Sequence, residues 1–179
     1  RIQFTGGGES PNGGAGTLSA ISDGNRILVS VGRGSSLGVS VPYVYIFTSG
    51  SDKQLVETSQ FSFASMGFSG GLDGSMSVGY NSSGFPIVAI GTPSGNTLKV
   101  YAAIDTAGSN YTQIFQHIIG STIGGTSVCS MGNGDMLVTV DQGAPITGII
   151  YDQATQTPND FVISSSGTTG NRQAVCDPA

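Results

Sequence analysis

Conventional catalysis in this 179-residue chain would have to start from one histidine, two cysteines and eleven acidic residues. His117 would act as a general base if a nucleophile and an orienting carboxylate converged on it. No Gly-x-Ser-x-Gly elbow and no His-rich metal motif accompanies it, so it reads as a strand residue without chemistry. Nine of the acids are aspartates, and Asp23, Asp52, Asp73, Asp105 and Asp135 sit in turn-like stretches. Glycoside hydrolysis needs two carboxyls converging on one cleft, and no pair is singled out. Asp23 with Asn25, and Asn133 with Asp135, alternate as calcium ligands do. Each turn offers one carboxylate, whereas calcium takes six to eight oxygens. Asp, Asn and Gly are also what tight hairpins require. These segments therefore read as turns, and neither calcium nor any other cofactor is expected.

Binding chemistry has more candidates. Tyr43, Phe68, Tyr80, Phe85 and Tyr111 lie near expected loop edges, where a ring face stacks on a sugar. The plainer reading has these rings filling gaps between packed sheets. Asn81 and Asn110 open Asn-x-Ser/Thr triplets and are the glycosylation candidates. Cys129 and Cys176 form the disulfide candidate, because low Lys content and Ser, Thr and Gly richness suit an oxidising extracellular setting. The Gly-rich stretches at 6–16, 67–74 and 120–125 lack the Gly-Lys-Ser/Thr ending of a phosphate cradle and read as loops.

Only 9% of residues are charged, with six Lys and Arg against eleven acids and a net charge of −5. Clustered cations that would neutralise phosphates are missing, which argues against nucleic acid and against an anionic membrane surface. No apolar run approaches the ~18–20 residues of a membrane span. The length fits one domain with a real core. The chain opens at Arg1 without an initiator Met or a signal-like stretch, which reads as a processed or excised product.

The elements that must position these residues are strands. Short apolar runs bounded by Gly, Ser, Asn, Asp and Pro dominate, and no long stretch holds a helical period. The runs repeat three times, in units at about 17–66, 75–122 and 127–166. Each unit opens with a modest strand, at 17–22, 75–80 and 127–131. Turns containing Gly24, Gly84 and Gly134 follow, each glycine three residues before the apolar strands at 27–31, 87–90 and 137–140. Third strands at 43–47, 98–104 and 149–151 each carry a tyrosine: Tyr45, Tyr101 and Tyr151. Fourth strands at 54–61, 111–118 and 160–164 are more polar. Four strands every ~50 residues is the size of a β-propeller blade. The fold class expected is therefore all-β, a propeller-type array of about three four-stranded blades, with a β-sandwich or jelly roll as the alternative.

Ser-Asp-Gly-Asn-Arg-Ile-Leu-Val-Ser-Val-Gly at 22–32, followed by Tyr-Val-Tyr-Ile-Phe at 43–47, resembles the FG-GAP type of propeller repeat found in integrin α heads and in bacterial and viral surface proteins. Gly91-Thr92-Pro93 and Gly143-Ala144-Pro145 stand nearest to its Gly-Ala-Pro signature, while its Phe-Gly pair and its calcium loop are absent. The resemblance implies binding or assembly rather than catalysis. The expected function is a non-catalytic extracellular or virion-surface module for partner binding, adhesion or structural assembly, engaging a protein partner or a second copy. A lectin-like carbohydrate binder is the alternative. A sialidase-like glycoside hydrolase comes third, since the aromatic that ends its Asp-box is usually Trp and this chain has none.

Overall fold

The computed structural model describes residues 17–32, 42–50, 54–68, 76–92, 96–119, 123, 125–131, 133–141 and 146–164. Within them the chain forms twelve strands and one short 3₁₀ turn. The first four strands are β1 (Thr17–Ser22), β2 (Arg26–Gly32), β3 (Tyr43–Ser49) and β4 (Leu55–Ser62), followed by the 3₁₀ turn Phe63–Met66. Next come β5 (Met76–Tyr80), β6 (Pro86–Thr92), β7 (Thr97–Ala103) and β8 (Tyr111–Ile118). The last four are β9 (Gly125–Ser130), β10 (Met136–Asp141), β11 (Ile146–Asp152) and β12 (Thr157–Ser164). Each set of four makes one antiparallel sheet in chain order, so there are three sheets, one per sequence repeat. Every described strand pairs only with its neighbours in sequence, and the crossed connections of a jelly roll do not occur among them.

The repeat holds, but its register differs from the one the turn glycines suggest. Gly24, Gly84 and Gly134 all have positive φ (91°, 74° and 91°), the conformation that glycine adopts at no steric cost. The turns around them differ in length. Ser22 pairs with Ile27 across a four-residue turn, whereas Tyr80 pairs with Pro86 and Ser130 with Met136 across five residues. The counterpart of Ile27 is therefore Pro86 and Met136, rather than Ile87 and Leu137. Because side chains alternate along a strand, one residue of offset reverses the face of every position. The tyrosines separate in the same way. Tyr45 and Tyr101 are equivalent, opposite Val29 and Val88. Tyr151 lies opposite Met136, which is the place of Phe47 in the first sheet.

In the true register the sheets stack with one polarity. Leu28, Val44 and Ile46 of the first sheet share a core with Val88, Ile90 and Tyr101 of the second. The other face of the second sheet carries Ile87, Ala89, Leu98 and Val100, which share a core with Val138, Val140, Ile149 and Tyr151 of the third. The second sheet thus turns one face to its predecessor and the opposite face to its successor. In the first sheet the positions that would face a predecessor are Val29, Tyr45 and Phe47, and they form a separate cluster. Its rings are stacked, with Tyr43 and Tyr45 centroids 5.9 Å apart and those of Tyr45 and Phe47 6.4 Å apart. Tyr45 is 1% exposed and Phe47 3%. Burying side chains of this size contributes about 1.5–3 kcal/mol each.

The sheets approach one another most closely through their first two strands: β1 and β2 against β5, then β5 and β6 against β9. At Gly79 on β5 the approach is between backbones. A Cβ built there would meet the Val128 carbonyl oxygen of β9 at 2.6 Å, and a backbone atom cannot rotate away. Gly79→Ala is expected to destabilise the chain by about 1–3 kcal/mol, the usual cost of overpacking, as read by urea denaturation. An unchanged midpoint would mean that β5 and β9 do not lie this close.

Candidate functional site

Chemistry-bearing side chains gather at one edge of the array, where the turns joining the first two and the last two strands of each unit lie. Between the first and second sheets this edge is organised by Arg26. The Asx-type turn ahead of it is set by Asp23, whose Oδ1 accepts from the Asn25 and Arg26 backbone N–H groups at 2.9 and 2.7 Å. The Asp23 carboxylate then holds the guanidinium, with 2.6 Å between Nη2 and Oδ2. Arg26 also donates to the Gly84 carbonyl at 2.8 Å and to the Thr106 carbonyl, reaching both turns of the second sheet. Its guanidinium lies 5.1 Å from the centre of the Tyr80 ring. Burial alone would raise the Asp23 pKa. The hydrogen bonds and charge supplied mainly by Arg26 outweigh that and hold it below the usual carboxylate range.

Behind this clamp, Phe61, Phe63, Phe68, Tyr101 and Tyr111 pack ring against ring at centroid distances of 4.8–6.3 Å. Burial pushes the hydroxyls of Tyr80 and Tyr111 well above the normal range, and that of Tyr101 up to about 12. The Tyr80 and Tyr111 hydroxyls are buried without a hydrogen-bond partner among the described residues. Of the five aromatics proposed for sugar stacking, Phe68, Tyr80 and Tyr111 therefore belong to this inter-sheet core. Tyr43 lies on the opposite face of the first sheet, packed against the Val29 cluster. Phe85 is half-buried in the β5–β6 turn. The rings form no common platform, because strand ends near a sheet–sheet junction are covered by the neighbouring sheet.

Between the second and third sheets the edge is polar and open. A β-bulge between Val100 and Tyr101 leaves Ile114 on β8 without a ladder partner. The Tyr151 hydroxyl from the third sheet donates to the Ile114 carbonyl at 3.1 Å. Further out, His117 Nε2 lies 2.8 Å from Asp160 Oδ2, which also joins the two sheets. No hydroxyl or thiol completes a triad with this pair among the described residues. Beside Tyr151 lies a cleft of about 290 Å³, lined in part by Asn81, Gln113, Gln153 and Gln156. None of the three glutamines was legible as a site residue: they come from β8 and from the β11–β12 turn, about 40 residues apart in sequence.

The remaining candidates have local roles. Asn81 Oδ1 accepts from the Ser83 and Phe85 backbone N–H groups at 3.0 and 2.8 Å, so this glycosylation candidate is also the residue that shapes its turn. Asn110 is exposed and its carbonyl accepts from the Ile104 N–H. Asn133 and Asp135 bond to each other within their turn, with Asn133 Nδ2 donating to Asp135 Oδ2 at 2.6 Å and the Asp135 N–H donating to Asn133 Oδ1. No group of three or more His, Cys, Asp or Glu converges among the described residues. Cys129 is buried on β9 and is not a free thiol, and Cys176 lies outside the described residues. No helix among the described residues is long and apolar enough to cross a membrane. No protein-family model matches the chain, and no curated protein matches it in sequence.

The Asp23–Arg26 clamp makes stability pH-dependent with a definite sign. A carboxyl whose pKa is lowered on folding adds stability above its unfolded value of about 3.9, and that stability is lost as pH falls through the folded value. The melting temperature should fall as pH drops below about 4. Asp23→Asn keeps the turn-forming oxygen and removes the charge, so its melting temperature should fall less steeply over the same range. Parallel pH profiles for the two proteins would remove Asp23 from this account.

Proposed function

We propose that the three sheets are consecutive blades of a β-propeller-type array, and that the chain is a non-catalytic module for partner binding or assembly at a cell or particle surface. One observation carries the reading. The second and third sheets offer equivalent faces to their predecessors, and the first sheet carries apolar and aromatic residues at the corresponding positions, which are buried within the chain. Adjacent first strands, β1 beside β5 and β5 beside β9, are what blades arranged about an axis require. The FG-GAP-type pattern at 22–47 belongs to the same proposal, as do an extracellular setting and a Cys129–Cys176 bridge.

Closed propellers use about four to eight blades, so three blades close a ring only with further blades beside them. The outermost strand of the third sheet supports an assembly role. Phe161, Val162 and Ile163 on β12 are 41%, 61% and 49% exposed, three consecutive apolar residues on an edge strand. Edge strands of monomers usually carry charges or breaks that prevent pairing; β12 has Pro158 and Asp160 in its first half, and the apolar run fills its second half. The contact of His117 with Asp160 across the two sheets has a structural role, which supports the non-catalytic reading.

Light scattering of the purified chain should give the mass of a dimer or larger assembly. Val162→Glu combined with Ile163→Lys should return it to monomer without lowering the melting temperature. A parent protein that stays monomeric at all concentrations would overturn the assembly reading.

A further inference from the structure

We infer that the cleft between the second and third sheets is a binding site for a neutral saccharide. The cleft is made by two neighbouring sheets and exists whether or not the array closes into a ring. Its volume of about 290 Å³ is at the lower end of small-molecule sites and suits a ligand the size of one sugar ring. Four carboxamides line it, from Asn81, Gln113, Gln153 and Gln156, and no charged side chain does among the described residues. A carboxamide presents a donor and an acceptor side by side in one plane. A sugar hydroxyl likewise donates and accepts, so several carboxamides around one cleft suit a ligand with vicinal hydroxyls. An ionic ligand would lose its hydration here without gaining a counter-charge.

The carboxamides differ in how free they are. Asn81 Oδ1 is committed to its own turn, which leaves its Nδ2 as a donor. The side-chain amides of Gln113, Gln153 and Gln156 have no partner among the described residues. Gln156 is also held at φ +56°, in the left-handed region that a glutamine seldom adopts. Such strained positions tend to mark ligand sites. The rest of the lining is apolar or aromatic, from Ile87, Ala102, Ile114, Met136 and Tyr151. The Tyr151 hydroxyl is already spent on the Ile114 carbonyl and its ring is buried in the inter-sheet core, so recognition falls to the carboxamides. This site shares no residue with the five aromatics first considered for sugar stacking.

Saturation-transfer NMR on the full chain tests the assignment, using millimolar glucose, galactose, mannose and N-acetylglucosamine, with N-acetylneuraminic acid as the anionic control. At least one neutral sugar should receive saturation, and the anionic sugar should not. Gln113→Ala and Gln153→Ala should each weaken binding about three- to tenfold, the effect of losing one or two neutral hydrogen bonds. Gln116→Ala, on the same strand but outside the cleft, should bind like the parent. Both cleft glutamines are exposed, so melting temperatures should be unchanged, which separates lost binding from lost folding. Absence of transfer from every neutral sugar would overturn the assignment. So would binding that survives both cleft substitutions, or equal binding of the anionic sugar.

Discussion

An antiparallel sheet that is apolar on both faces needs cover on both faces, and this constraint organises the whole molecule. Sheets of this class usually leave one face to water. Here the second sheet buries Val88 and Ile90 on one side and Ile87 and Ala89 on the other, from adjacent positions of the same strand. A nearly continuous apolar run is stable in a strand only when sheets lie before and after it. Once that holds for one repeat, the equivalent runs in the others impose the same stacking, and a directional array follows.

The ends of the strands inherit their chemistry from this stacking. Two sheets that touch face to face bring their turns to a common edge, where backbone carbonyls of one sheet meet side chains of the next. Between the first and second sheets the meeting is closed by a guanidinium that reaches two turns at once. In the corresponding turn of the third sheet Asp135 bonds to Asn133 and to the Gln153 N–H, contacts within its own sheet. No arginine spans the second junction among the described residues, and a cleft lined by carboxamides opens beside it. One junction is a clamp and the other has room for a ligand, although both are built from the same repeat.

Much of the architecture was legible in the sequence because strand and turn signals here are local. The bounds expected for β1 and β8 match those observed, and each of the three units is one sheet. The register was not legible. The turn glycines mark where backbone φ is positive, but the one residue by which the first turn is shorter appears only in the pairing of Ser22 with Ile27. The site was least legible of all. Aromatics near strand ends look available to a ligand until the neighbouring sheet covers them, as happens to Phe68 and Tyr111. Gln113 and Gln153 carry no motif and come together only when two sheets pack.

The face polarity of the sheets is the claim on which everything else depends, and methyl–methyl nuclear Overhauser contacts measure it directly. The account predicts contacts from the Leu28 and Ile46 methyls to those of Val88 and Ile90, and none from Val29 to the second sheet. Contacts from Val29 to Val88, with Leu28 silent, would mean that the register set by the turn glycines is correct after all. The stacking described here would then be reversed.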